Sequence, residues 1–81
     1  MVLVLHLGAD CAIPWRHVLA IVDARNLDNR DTRVFLDRAQ AAGQVRTVPD
    51  GEVRAMVLAM DDAGVQRVYL SPISAATLRM R

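Results

Sequence analysis

The sequence predicts an α+β fold, with a mainly antiparallel sheet of about five strands, one central helix near residues 30–42 and a short C-terminal helix from residue 72. Three observations point there. Apolar runs of strand length recur between Gly, Pro and Asp turn signals. One longer segment, "NRDTRVFLDRAQAAG" (29–43), carries the chemistry of a helix start and a helix stop. The last segment, "SPISAATLRMR" (71–81), sets Ser and Pro ahead of a short apolar stripe.

Taken in order, "VLVLHL" (2–7) is a β-run ended by the turn signal Gly8. "CAIP" (11–14) is a short second strand, with Pro14 at its end because proline has no N–H to give a ladder. "HVLAIVD" (17–23) is apolar at nearly every position and reads as a buried strand. The polar stretch "ARNLDNRD" (24–31) is a loop. In it Asn29 is a helix N-cap, and Asp31 sits where the positive end of the macrodipole favours an acid. Phe35, Leu36, Ala39 and Ala42 form one stripe of the helix, and Gly43 is its natural left-handed stop. "QVRTV" (44–48), "VRAMVLAM" (53–60) and "VQRVYL" (65–70) read as strands separated by the turns "PDG" (49–51) and "DDAG" (61–64). Joined by two tight turns, the three are expected to form an antiparallel meander. Ser71 then reads as an N-cap and Pro72 as the first helical residue. Ile73, Ala76, Thr77 and Met80 fall on one face, and Arg79 and Arg81 sit at the negative end.

Strand alternation sends Val53, Ala55, Val57 and Ala59 to one side of the central strand, and Arg54, Met56, Leu58 and Met60 to the other. Both sides are largely apolar, and two short helices are little material to cover them. The chain has 81 residues, of which 53% are hydrophobic. A domain of this size buries only about 60–65% of its unfolded surface. The expectation is a homo-oligomer whose interface includes Met56, Leu58, Ile73 and Leu78.

The net charge of +1 excludes a chain coated in positive charge, yet all ten basic residues are Arg and none is Lys. GC-rich coding produces that bias; it also supplies planar forks suited to phosphate and carboxylate. Cys11 is alone, there is no charged leader, and no apolar run approaches the roughly 20 residues of a membrane helix. These features point to a single cytoplasmic domain with no membrane partner.

Chemistry-bearing groups are sparse. His6, Asp10, Cys11 and His17 lie near one another but match no metal-ligand spacing, so no metal, cofactor or catalytic group is expected. Asp61-Asp62 reads as a solvated turn, and the four glycines form no phosphate loop. Trp15-Arg16-His17 joins an aromatic to a cation, either packed at a strand edge or presented to a partner. Arg46, Arg54 and Arg67 fall on the three strands of the expected meander.

Three stretches, "LHLGADCAIPWRHVLAIVDAR", "TRVFLDRAQAAGQVRTV" and "VYLSPISAATLRMR", resemble the RemA/RemB family of extracellular matrix regulators of Gram-positive bacteria, and the RemB side more. The resemblance spans essentially the whole chain. It is carried by the order and spacing of "HLG" (6–8), "AIVD" (20–23), the helix at 32–39 and "YLSPISAATLRMR" (69–81). It implies a small regulator of matrix and biofilm genes that binds double-stranded DNA as a ring-shaped homo-oligomer. It also implies that Arg16 and Arg54 contact DNA, with Arg46 and Arg67 as further candidates. RemA-type members carry adjacent arginines after the glycine of the central hairpin; this chain has Glu52-Val53 ahead of Arg54. The alternative is an oligomeric scaffold or protein-interaction module that has lost the DNA surface. Arg16 and Arg54 on one exposed face favour the first reading; the same residues buried against Asp23 or Glu52 favour the second.

Overall fold

The computed structural model describes residues 3–80. Its elements are strands β1 (Val4–Gly8), β2 (Cys11–Pro14) and β3 (Val18–Asp23), helix α1 (Arg30–Ala41), strands β4 (Val45–Thr47), β5 (Ala55–Met60) and β6 (Gln66–Ser71), and helix α2 (Ala75–Arg79). Two 3-10 turns, Trp15–His17 and Ala24–Asp28, flank β3. The fold is α+β, but the strands form two sheets where one was expected. β1 and β2 make a separate hairpin, and the other four strands order as β3-β5-β6-β4.

The expected meander is corrected. β5 and β6 are an antiparallel hairpin, whereas β4 lies at the far edge and runs parallel to β6. The segment between β4 and β5 is therefore a crossover and no hairpin turn. "PDG" still bends the chain, with Asp50 at φ 77°, but turn residues specify a bend and not which strand lies next to which. Gly51 and Gly8 are needed here for space. A Cβ built on either would stand 3.0–3.2 Å from the ring of Pro72, which wedges between the two segments.

Helix α1 begins and ends as its residues dictate. The Asn29 side chain accepts from the amides of Asp31 (2.9 Å) and Thr32 (3.4 Å). At the other end Gly43 takes φ +71°, its amide donates to the Gln40 carbonyl and that of Gln44 to Ala39. These are the paired bonds of a Schellman stop. Leu36 and Ala39 are buried, and Ala42 is exposed.

The core has two halves, one on each face of β5. Ala55, Val57 and Ala59 pack with Leu5, Leu7, Cys11 and Ile13 of the hairpin and with Ala75 and Leu78 of α2. Met56 and Val68 pack with Leu36 and Ala39 of α1, with Leu58 against that cluster. The alternation along β5 is as its sequence implies, but both faces are covered from within the chain. Met56 and Leu78 are thus core residues and not interface residues. Leu58 and Ile73 are half-buried against the same two clusters.

The C-terminal helix also starts later than expected. Its N-cap is Ser74, whose hydroxyl accepts from the Thr77 amide at 3.2 Å. Ser71 instead ends β6, fully buried, donating to the Leu7 carbonyl at 2.6 Å and accepting from the Ile73 amide at 3.1 Å. Ala75 and Leu78 face inward; Ala76, Thr77 and Met80 face out. The Arg79 guanidinium donates to the Ile21 carbonyl at 2.8 Å, clamping the helix to β3, an edge strand. The helix expected to serve an assembly is built into the subunit's own core; Arg81 lies outside the described residues.

Ser71 is the polar tie between the two sheets. Ser71→Ala leaves the Leu7 carbonyl without that donor, so chemical denaturation should show a loss of about 1–3 kcal/mol. Met56→Asp buries a charge against α1 and is expected to abolish the cooperative melt, where a surface substitution would leave it intact.

Candidate functional site

All four arginines singled out from the sequence are exposed, and none pairs with Asp23 or Glu52. They do not share one place. Arg54 precedes β5; its amide donates to the Ser71 carbonyl, and its own carbonyl accepts from Ala24. Arg16 sits in the 3-10 turn before β3, which pairs antiparallel with β5 so that Val18 lies opposite Ala59. Arg16 and Arg54 therefore stand at opposite ends of β5, about 20 Å apart at the ~3.3 Å rise of a strand residue.

At the Arg16 end the structure gathers Arg46 and Arg67. The parallel pairing of β4 and β6 sets Arg46 opposite Tyr69, and Arg67 is two residues before Tyr69 on the same face. Both arginines line an open cleft of about 440 Å³, together with Tyr69, His17, Gln44 and Asp61. Ile13 and Pro14 of the hairpin and Ala59 of β5 supply apolar wall. The cleft exists because the hairpin covers only part of this face of the sheet.

Its electrostatics follow from which charges are already matched. Asp61 Oδ1 accepts from the amides of Ala63 and Val65, both at 2.9 Å, and so shapes the β5–β6 turn. Asp62 receives the Arg16 fork, Nε donating to Oδ1 at 3.2 Å and Nη2 to Oδ2 at 2.8 Å, and His17 Nε2 lies 3.1 Å from the same Oδ1. The hydrogen bond from Arg16, then that from His17, holds the Asp62 carboxyl down at about 2. Arg46 and Arg67 have no acidic partner within salt-bridge distance among the described residues. The site thus presents two guanidiniums without a salt-bridge partner among the described residues, one lining carboxylate, Asp61, and the matched Arg16–Asp62 pair beside them. It is suited to holding an anion, since a guanidinium stays charged at any ordinary pH and moves no proton.

Sequence reasoning ranked Arg46 and Arg67 below Arg16 and Arg54; the structure brings the former pair together and separates the latter. It missed the roles of His17, Gln44, Tyr69 and Asp62. Strand phase offered a signal for Tyr69 and Arg67, which are i and i+2 partners, but nothing local linked them to Arg46. Trp15 is half-buried against the hairpin half of the core, its amide donating to the Leu3 carbonyl at 3.0 Å. Cys11 is buried, and among the described residues no group of three His, Cys, Asp or Glu stands where it could hold a metal. No described helix is long and apolar enough to cross a membrane.

The chain matches no protein-family model and no curated protein.

Arg16 and Asp62 are both well exposed, at 61% and 68% of their side-chain surface. Their pairing is fully present above the ordinary Asp value of 3.8 and is lost as pH falls through about 2. An NMR titration should place the Asp62 midpoint near 2 at low salt. Arg16→Ala should move that midpoint upward, and added salt should move it the same way in the parent.

Proposed function

We propose that this protein is a DNA-binding regulator that acts as a homo-oligomer, in keeping with its resemblance to the RemA/RemB matrix regulators. The observation that carries the reading is the convergence of Arg46 and Arg67, exposed and unmatched, on one side of the molecule, with Arg16 at the neighbouring turn. Phosphate contacts need positive forks that are free of internal acids, and a net charge of +1 suffices when those forks are gathered. Arg54, at the far end of β5, joins the same DNA path only when neighbouring subunits extend the surface. The ring implied by the resemblance is one such arrangement.

Oligomerisation itself finds support in surface residues that the subunit does not cover. Leu3 and Leu19 are each 62% exposed and Met80 is 87% exposed. They lie just before β1, in β3 and just after α2, and α2 packs against both strands. These exposed residues replace Met56 and Leu78 as the expected interface. An oligomer without DNA contacts remains the competing reading, and the ion pair that occupies Arg16 favours it over a free Arg16 fork.

Light scattering should report a multiple of the 8.9 kDa subunit mass. Leu19→Asp should lower that mass without unfolding the chain; a single-subunit mass for the parent sinks the oligomer. DNA titration at two salt concentrations should show salt-sensitive binding. Arg46→Ala and Arg67→Ala, in assemblies of unchanged mass, should each flatten the log–log salt slope by about 0.9 per lost contact. A parent that binds no DNA at low salt leaves the scaffold as the reading to keep.

A further inference from the structure

We infer that the cleft between the hairpin and β4–β6 is a binding site for a small phosphate monoester carried on a compact polar ring, such as a mononucleotide or a sugar phosphate. Its bounded size is the first reason. A space of about 440 Å³ lies in the range of small-molecule sites, whereas a DNA backbone asks for an open track. Its distribution of chemistry is the second. Arg46 and Arg67 supply two forks for one terminal phosphate, which carries more charge than a backbone diester. Ile13, Pro14 and Tyr69 supply an apolar and aromatic wall for a ring.

Asp61 is the third reason. A carboxylate among the lining groups opposes a polyanion, but it accepts hydrogen bonds from ring hydroxyls or amines. Its Oδ1 is engaged by turn amides, and no donor among the described residues reaches its Oδ2. Gln44 adds a polar group whose orientation is set. Its Oε1 accepts from Gln66 Nε2 at 3.2 Å, which leaves its own amide N–H groups as donors. The cleft thus joins a phosphate end to a donor-and-acceptor end across an apolar wall. The inference rests on this geometry alone. The DNA reading enters only as a consequence, since a ligand on Arg46 and Arg67 withdraws two phosphate contacts from DNA.

The test is calorimetric titration of the intact chain, without DNA, using adenosine 5′-monophosphate, glucose 6-phosphate, inorganic phosphate and adenosine. At least one monoester should bind more tightly than inorganic phosphate, and adenosine should not bind. Arg46→Gln and Arg67→Gln should each weaken the monoester at least tenfold. Arg25→Gln, in the turn Ala24–Asp28 and away from the cleft, should leave it unchanged, with all variants melting like the parent. Tyr69→Leu should weaken the nucleotide more than the sugar phosphate if the ring is a base, and both alike if it is a sugar. Failure of both monoesters to exceed inorganic phosphate, or an equal loss in Arg25→Gln, overturns the inference. Ligand binding by a chain that ignores DNA upholds it while sinking the regulator reading; DNA binding with no monoester binding does the reverse.

Discussion

A strand with two apolar faces has to be covered twice, and in this chain that strand is β5. Ala55, Val57 and Ala59 look one way, Met56 and Leu58 the other, and all but Leu58 are fully buried. Amphipathic helix α1 covers the second face with Leu36 and Ala39. The first face has no helix of comparable size. It is closed instead by a β-hairpin, whose alternation puts Leu5, Leu7, Cys11 and Ile13 inward, and by the two inward residues of α2. These two layers hold the subunit's core, and the remaining features are arranged around them.

The hairpin meets the sheet through few polar bonds, and that raises the importance of Ser71. Its hydroxyl is buried and satisfied on both sides, by the Leu7 carbonyl and the Ile73 amide. The same residue ends β6 and redirects the chain toward α2, while Pro72 fills the gap between Gly8 and Gly51. Packing and chain direction are solved together at one point. The Arg79 bond to the edge carbonyl of Ile21 then fastens α2 across β3. A helix of five residues is not stable alone; its order here comes from this clamp and from the burial of Leu78.

Partial coverage is what creates the candidate site. The β4–β6 side of the covered face lines an open cleft together with Ile13 and Pro14 of the hairpin. Strands projecting Arg46, Arg67 and Tyr69 toward the hairpin layer become core where the hairpin lies over them and a charged cleft where it does not. Nearby, Asp62 is already matched by the Arg16 fork and hydrogen-bonded to His17, which leaves Asp61 as the acid of the turn that faces the cleft.

The residues by themselves determined whatever depends on near neighbours along the chain. Asn29 and Gly43 bracket α1 because capping bonds join residues two to five positions apart. The facing of β5 was equally legible, since strand alternation is a local period. Strand order was not. Whether residues 45–47 pair with β5 or with β6 depends on a crossover and on register between distant segments, and "PDG" serves a hairpin or a crossover equally well. The start of α2 was misplaced for a related reason. Ser71 and Ser74 are both good caps locally, and only the approach of Leu7, 64 residues away, makes Ser71 a sheet tie and leaves Ser74 to cap. The arginines divide the same way. Their identity and exposure belong to the sequence, but which of them stand together was settled by the parallel pairing of β4 with β6. That pairing brings Arg46 and Arg67 to one cleft and leaves Arg54 at the other end of β5.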